Sequence, residues 1–253
     1  EGIELSIQRC SGRLPLLRAC RLWRSNGVAL ISGTEWLSEI PEVADSGIPC
    51  MLIETPLERE NVGYFCHDSR RAMQQMLNYV HSLGHRRIAY LEADPPNSSY
   101  QNRLDAYREL MESIGESPDA FRIPPYPVGH IDGIGRDKEA GYQQTMQLLS
   151  SYPGVTAIVC ANDEIAFGCY KACAEKGVRI PEDVSVVGCD DQSFARFLSP
   201  GLTTIRLPLT YMGRRAIQSL GDFLRGNQTA LPKEHLLREL VIRNSAAPPA
   251  KRK

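Results

Sequence analysis

The chain has 253 residues, of which 42% are hydrophobic and 23% charged, the composition of an ordinary globular protein with one large domain or two smaller ones. Lysine and arginine number 29 against 30 aspartates and glutamates, so the net charge of -1 argues against a nucleic-acid surface within these residues. No run of about 18 apolar residues occurs, and the N-terminus lacks a basic stretch followed by an apolar one, so we expect neither a membrane span nor a signal peptide.

Strand-like and helix-like segments alternate along the chain. In order, the pattern predicts strand 4–10, helix 13–27, strand 27–33, helix 35–47, strand 49–55, helix 68–85, strand 86–93, helix 100–115, helix 137–151, strand 156–163, helix 164–177, strand 183–191, helix 209–226 and strand 235–244. This alternation is typical of an α/β protein whose parallel sheets carry helices on both faces. The residues from 245 onward are expected to form a flexible tail.

The cysteines and histidines favour neither disulfides nor a metal site. The eight cysteines form no C-x-x-C pair, and several lie inside apolar runs such as IVCAND, so we interpret them as small buried hydrophobic residues in a reducing cytoplasm. His81 and His85 have helical spacing, but Gly84 intervenes and ends the predicted helix. No cofactor or metal is expected.

Polar side chains directly follow four of the predicted strands. They are Ser32, Glu54, Asn162, Asp163, Asp190 and Asp191. In open parallel sheets, ligands bind outside the carboxyl ends of the strands. The same residue types also begin turns and cap helices, so both interpretations stay open here. No G-x-S-x-G, P-loop or H-E-x-x-H motif occurs, and the stretch GHIDGIGRDKEAG is interpreted as a loop, so the sequence does not predict an enzyme.

Five motifs in the same order and spacing resemble a known family. They are SLGHRRIAYLEA, NRLDAYRELMESIG, AGYQQTMQLLSS, TAIVCANDEIAFGCYKACAEKGVRIPEDVSVVGCDD and SPGLTTIRLP. Together they resemble the effector-binding core of LacI/GalR-type transcriptional regulators, from about residue 5 to residue 247. The resemblance is densest between residues 80 and 215.

The resemblance implies a fold and a set of partners. The fold would be two Rossmann-like, doubly wound parallel-sheet subdomains of the periplasmic binding protein type, joined by three crossovers. Residues 1–67 with 208–222 would form the N-terminal subdomain, and residues 68–207 with 223–244 the C-terminal one. A small effector, usually a sugar or nucleobase, would bind in the cleft. The protein would form a homodimer, with helix 164–177 at the interface, and would contact operator DNA only through a helix-turn-helix that these residues lack.

The resemblance also implies roles for individual residues. Arg103, Asn162 and Asp190 fall where the family holds its effector, and Glu54 falls where many members carry an aspartate. A carboxylate accepts two hydroxyl donors and a guanidinium presents a fork of donors, so the chemistry suits a sugar. Arg136 falls where an aromatic ring commonly stacks on the ligand.

Three departures from the family pattern leave alternatives open. The helix-turn-helix is absent, and so is the first strand–helix unit; either the chain is a trimmed portion of a longer protein, which we favour, or segment 4–10 replaces that strand. Ala106 and Tyr107 stand where the family has Gly-Phe. Arg136 is either balanced by nearby acids (Asp132, Asp137 and Glu139) or contacts an effector that carries a carboxylate or phosphate.

The leading hypothesis is therefore the effector-sensing core of a sugar-responsive regulator in the cytoplasm. The alternative is the solute-binding protein of a sugar transporter, which shares the fold. The absence of a signal peptide, the eight cysteines and the PEDVSVVG motif count against it. An enzyme on this scaffold is a third possibility, although no nucleophile–base pair is recognisable.

Overall fold

The computed structural model describes residues 15–31, 38–93, 98–128 and 135–250. The chain folds into two compact units: unit 1 comprises Glu1–Asp68 and Pro208–Leu237, and unit 2 comprises Ser69–Leu207 and Arg238–Lys253. The chain thus passes between the units three times. In chain order the elements are α1 (Leu16–Leu22), β1 (Val28–Ile31), α2 (Ile40–Asp45), β2 (Cys50–Ile53), β3 (Val62–His67), α3 (Ser69–Ser82), β4 (Ile88–Leu91), α4 (Ser98–Ser113), β5 (Arg122–Ile123), α5 (Arg136–Ser151), β6 (Ala157–Cys160), α6 (Asp163–Glu175), β7 (Ser185–Asp190), a 3-10 helix (Ala195–Phe197), β8 (Thr203–Arg206), α7 (Leu209–Leu224), β9 (Lys233–Leu236) and β10 (Glu239–Val241).

Unit 1 is built on a parallel sheet with the strand order β1-β2-β3-β9. All four residues of β2 and five of the six in β3 are buried, which explains their continuously apolar sequences. A Cβ on Gly63 in β3 would lie 2.5 Å from the sulfur of Met51 and 2.6 Å from the carbonyl oxygen of Pro232. Only glycine therefore lets the neighbouring strands approach at this point.

Unit 2 is built on a six-stranded sheet with the order β10-β8-β7-β6-β4-β5. Every neighbouring pair is parallel except β10–β8, which is antiparallel at the edge. All residues of β4 and β6 are buried, and β7 is buried up to Asp190. The predicted fold class, an α/β protein of two parallel-sheet subdomains of the periplasmic binding protein type, is confirmed, with one antiparallel edge strand added. Among the described residues, the strand order reverses in unit 2 only.

The structure differs from the predicted elements at β3, at β5, at β8 and in segment 235–244. Strand β3 was not predicted, because VGYFCH lacks the alternation that marks a strand buried on one face. The short β5 and the strand β8 were also missed. The predicted strand 235–244 is two strands in two different sheets, since β9 pairs with β3 and β10 pairs with β8. The predicted strand 4–10 lies outside the described residues.

The predicted subdomain boundaries need a correction at the third crossover. We placed residues 223–244 in the C-terminal subdomain, but the structure keeps the chain in unit 1 as far as Leu237. The physical reason is β9, whose residues from Lys233 to Leu236 pair in parallel with residues from Tyr64 to His67. The chain enters unit 2 only at Arg238.

Residues 245–247 of the predicted flexible tail are anchored, whereas residues 251–253 lie outside the described residues. Ser245 is fully buried; its hydroxyl donates to the carbonyl of Val186 at 2.6 Å and accepts from the N–H of Thr203 at 2.8 Å. The carbonyl oxygen of Ala247 accepts a 3.0 Å hydrogen bond from the hydroxyl of Ser185. The same oxygen lies 2.9 Å from Nε2 of His85. Backbone groups of this segment therefore find partners inside unit 2.

His85 makes this anchor sensitive to pH. It is buried, its Nδ1 lies 2.9 Å from the hydroxyl of Thr156, and burial lowers its pKa although the hydrogen bond to Ala247 opposes this. The unfolded chain therefore binds the proton more readily than the folded chain, so the stability that neutral His85 contributes is complete above pH 6.5 and falls as the pH drops below it.

We expect the difference in unfolding free energy between the wild type and His85→Gln to shrink as the pH is lowered from about 8 to about 5. Urea unfolding at each pH measures it. A pH-independent difference for His85 would contradict the assignment.

Seven cysteines lie in the described ranges, where all are buried and none is disulfide-bonded. Burial raises the pKa of Cys66 to about 11 and that of Cys50 to about 12, so these thiols are protonated at neutral pH. They behave as the small hydrophobic residues that we predicted. None of the helices within residues 15–31, 38–93, 98–128 and 135–250 combines the length and the apolar character that a membrane span requires.

Candidate functional site

The topology of unit 2 brings three of the predicted site residues together. From β4 the chain adds β5 on one side, and β6, β7 and β8 then follow on the other, so the strand order reverses between β4 and β6. At such a reversal the loops after neighbouring strands turn to opposite faces and leave a crevice at the carboxyl ends. Helix α4 follows β4, helix α6 follows β6, and Asp190 ends β7.

Arg103 on α4 is at the centre of this arrangement. Its side chain is only 5% exposed, and Nη2 lies 3.3 Å from Oδ1 of Asp190. Nη1 donates to the carbonyl of Ala161, at the end of β6, and the guanidinium carbon lies 5.2 Å from the ring centroid of Tyr100. A buried guanidinium needs such partners, and together they fix the plane of the fork.

Asp190 has a backbone conformation that few non-glycine residues adopt. Its φ is 113°, and that of the next residue, Asp191, is 51°. Positive φ costs of order 1–3 kcal/mol at non-glycine positions and is found disproportionately at functional sites. The carboxylate of Asp190 remains 24% exposed although it pairs with buried Arg103, so part of its accepting capacity still faces outward.

Asn162 caps a helix and also joins Arg103 and Asp190 in a group of polar side chains at the carboxyl ends of the strands, which we call the strand-end cluster. Its Oδ1 accepts from the N–H of Ile165 at 2.9 Å, the N-cap contact of α6. Its amide nitrogen donates to Oδ2 of Asp137 at 2.5 Å and to the hydroxyl of Tyr100 at 3.2 Å. The capping interpretation is therefore confirmed, whereas contact of Asn162 with an effector stays a prediction.

The cluster contains three residues that the sequence did not point out as site residues. Tyr100 precedes Arg103 by one helical turn, so helical spacing in α4 was a signal for it. Asp137 is the second residue of α5 and reaches Asn162 because α5 and α6 cross closely. Arg238 has a side chain that is only 1% exposed; its Nη1 lies 3.0 Å from the sulfur of Cys189 and 3.9 Å from Oδ1 of Asp190. No local sequence pattern marks Arg238 as a site residue, because its position follows from the third crossover, where the chain enters unit 2.

The remaining predicted site residues lie in unit 1, at the start of α5 or outside the described residues. Glu54 directly follows β2 in unit 1, where it has a φ of 69° and its carboxylate contacts Nδ1 of His67. Arg136 is the first residue of α5 and is partly exposed. Ser32 lies outside the described residues, as does Asp132, one of the acids expected to balance Arg136.

The arrangement suits binding rather than bond breaking. Around Arg103, the cluster offers a carboxylate acceptor in Asp190, a second carboxylate in Asp137 and the hydroxyl of Tyr100. Burial raises the pKa of Tyr100, so its hydroxyl stays protonated and can donate. Alternating donors and acceptors match the hydroxyl groups of a sugar, each of which both donates and accepts. A ligand that lacks one of these hydroxyls would leave a buried group unpaired, which is the physical basis of selectivity.

Comparisons with known proteins agree with this fold. A family model described as the periplasmic binding protein-like domain matches residues 77–246. The probable HTH-type transcriptional repressor ExuR of Bacillus subtilis is 26% identical over 223 residues, which cover 88% of this chain and 65% of the repressor. The chain thus spans less than two thirds of the length of this curated relative.

Two solved structures extend the comparison. A LacI family transcriptional regulator from Enterococcus faecium with bound ribose superposes with a TM-score of 0.77 at 23% identity, covering 95% of this chain and 86% of the regulator. The transcriptional regulator CelR in complex with cellobiose gives a TM-score of 0.71 at 27% identity, covering 87% of this chain and 65% of the regulator. The relatives are regulators, which favours neither the transporter alternative nor an enzyme. The chain is similar over most of its length to HTH-type and LacI-family transcriptional regulators, and it belongs to the periplasmic binding protein-like domain family.

Proposed function

We propose that this chain senses a sugar or sugar derivative through the strand-end cluster of unit 2 and thereby controls operator binding by a helix-turn-helix outside these residues, in the cytoplasm. The observation that carries the proposal is the buried Arg103–Asp190 pair at the strand-order reversal, with Asp190 held at positive φ and still partly exposed. A carboxylate that is oriented by a buried guanidinium and open on one side is suited to accept hydroxyl hydrogen bonds.

A relative that is 27% identical to this chain binds cellobiose, which supports a carbohydrate effector. The test is a thermal-shift screen of neutral sugars, sugar acids, sugar phosphates and nucleobases. A ligand present at 100 times its dissociation constant should stabilise the folded chain by about 2.7 kcal/mol. If no sugar or derivative shifts the transition while a nucleobase does, the carbohydrate assignment is wrong.

The position of Arg136 bears on the charge of the effector. It begins α5 directly before Asp137, which bonds Asn162, so its side chain starts beside the cluster. We propose that it contacts a carboxylate or phosphate of the effector, for which a guanidinium is suited. In the screen, the acid or phosphate derivative should then shift the transition more than the parent sugar does, and Arg136→Met should remove that preference.

We also propose that the chain forms a homodimer through α6, although fewer apolar residues of α6 are exposed than the sequence indicated. Of the four apolar residues expected on the surface of α6, Cys169 and Cys173 are buried and Tyr170 is partly buried, with its hydroxyl bonded to the carbonyl of Pro200. Phe167 is 39% exposed and is the apolar anchor that remains.

We expect a dimer at micromolar concentration, and a weaker dimer for Phe167→Asp because a carboxylate would be desolvated at the interface. Sedimentation equilibrium measures the dissociation constant. Ile242→Asp, at a residue that is 57% exposed beside edge strand β10, is the matched control and should leave it unchanged. A wild type that is monomeric throughout the micromolar range would contradict the proposal.

A further inference from the structure

The turn that carries Asp190 is held by a carboxylate that points at its backbone. Asp163, the first residue of α6, is fully buried. Its Oδ2 accepts a 2.8 Å hydrogen bond from the N–H of Gln192, and its Oδ1 accepts a 2.6 Å hydrogen bond from the hydroxyl of Thr204. The Gln192 N–H is the first backbone donor after the two residues with positive φ, so this bond closes the turn.

Gly188 shows how closely the carboxylate of Asp163 fits. A Cβ on Gly188 would lie 2.3 Å from Oδ1 of Asp163, a distance at which one of the two groups must move. Gly188 has no positive φ, so its backbone does not require glycine. The space next to the carboxylate is therefore what excludes a side chain on β7 at this point.

The turn has a second anchor on its other side. Asp191 pairs with Arg206 at 2.7 Å and with Arg243 at 2.6 Å. Burial alone would raise the pKa of Asp191, but the hydrogen bonds from the two arginines outweigh it and hold the pKa below its ordinary value. Asp191 fixes the turn to the β8 side of the sheet, and Asp163 fixes it to α6.

We propose that Asp163 is the positioning residue of the effector site: through the N–H of Gln192 it holds the strained turn that directs the carboxylate of Asp190 toward Arg103 and the effector. The proposal rests on the proposed function, because it assigns a role within the same site. Strained backbone persists only where its surroundings over-determine it, and Asp163 supplies the bond that does so on the side of α6. Asp163 makes this contribution without touching the effector.

The role depends on hydrogen bonds and not on charge. Burial raises the pKa of Asp163 to about 7, so the charged and neutral carboxyl groups are both accessible near neutrality. Either form, like an asparagine amide, can accept from the N–H of Gln192 and bond with the hydroxyl of Thr204. Alanine can do neither. Asp163→Asn should therefore preserve the site, and Asp163→Ala should not.

The experiment compares four variants by isothermal titration with the best ligand of the screen and by hydrogen exchange of the Gln192 amide. We expect Asp163→Ala to weaken effector binding at least about tenfold and to speed exchange at Gln192, because a misplaced carboxylate loses its aligned hydrogen bonds. Asp163→Asn should stay close to the wild type in both measurements. Gly188→Ala should resemble Asp163→Ala, since it displaces the carboxylate while leaving Asp163 in place, and it carries the test if Asp163→Ala does not fold.

Thr204→Val separates positioning from stability. It removes the other hydrogen bond of Asp163 and should lower the melting temperature, but it should leave affinity and Gln192 exchange near the wild type. The proposal is overturned if Asp163→Ala binds as tightly as the wild type, or if Thr204→Val loses as much affinity as Asp163→Ala. If no sugar or derivative binds the wild type, the proposed function fails; unchanged Gln192 exchange in Asp163→Ala would separately refute the anchoring.

Discussion

Gly168→Ala should destabilise the chain by about 3 kcal/mol or more, which lowers the melting temperature of a protein of this size by roughly 6–12 °C. A Cβ on Gly168 in α6 would lie 1.9 Å from the carbonyl oxygen of Lys138 and 2.5 Å from the backbone nitrogen of Tyr142, both in α5. Backbone atoms cannot rotate away as a side chain can, so the two helices would have to separate. Calorimetry or thermal denaturation followed by circular dichroism measures the loss.

Gly213→Ala is the matched control for this prediction. Gly213 lies inside α7, and no heavy atom would come within 4 Å of an added Cβ. The substitution should stabilise the chain by about 0.5–1 kcal/mol, because alanine has the higher helix propensity. A Gly168→Ala chain that melts within about 1 °C of the wild type would show that α5 and α6 can separate without strain.

The crossing of α5 and α6 also connects packing to the site. Gly141 in α5 approaches α6 as closely as Gly168 approaches α5, since its Cβ would lie 2.2 Å from the carbonyl oxygen of Ile165. Asp137 lies in the first turn of α5, and Asn162 is the N-cap of α6; the amide nitrogen of Asn162 donates to Oδ2 of Asp137 at 2.5 Å. Two glycines therefore set the distance between two polar residues of the cluster.

The sequence predicted the long helices of unit 2 better than the short strands of either unit. Helix α3 was recognisable because a cap residue, Asp68 or Ser69, begins the predicted helix and the stop residue Gly84 ends it. Strand β3 was not, since its residues are buried on both faces and show no period. The division of 235–244 into β9 and β10 depends on strands far away in the chain, and no local signal marks a crossover at Leu237.

The site was predictable where it depends on motifs and hidden where it depends on packing. Arg103 and Asp190 were expected from the resemblance, and the structure places them 3.3 Å apart. The position of Arg238 beside Asp190 follows from the path of the third crossover, which no motif records. The role that we propose for Asp163 was likewise invisible, because a helix-capping aspartate and one that accepts from a distant turn have the same sequence pattern.

Asp190→Ala should abolish ligand-induced stabilisation while the chain remains folded. The wild type should gain about 2.7 kcal/mol at 100 times the dissociation constant of its effector, and the variant should gain nothing measurable. The carboxylate is the acceptor that Arg103 orients, and its exposed part is the one available to a ligand hydroxyl. Truncation removes that acceptor and leaves a buried guanidinium without its carboxylate, so some loss of stability in the unliganded chain is also expected.

Two further variants make the result specific to the site. Asp190→Asn keeps the shape of the side chain, and asparagine tolerates positive φ better than alanine does. The amide has only one acceptor oxygen and no charge. We therefore expect its affinity for the effector to lie between those of the wild type and Asp190→Ala. Asp183→Ala removes a carboxylate that pairs with Arg179 at 2.7 Å on the surface, and it should retain the full ligand-induced shift. Titration calorimetry on the three variants gives the dissociation constants directly. An unchanged dissociation constant in Asp190→Ala would remove Asp190 from the effector site, and the proposed function would then have to rest on other residues.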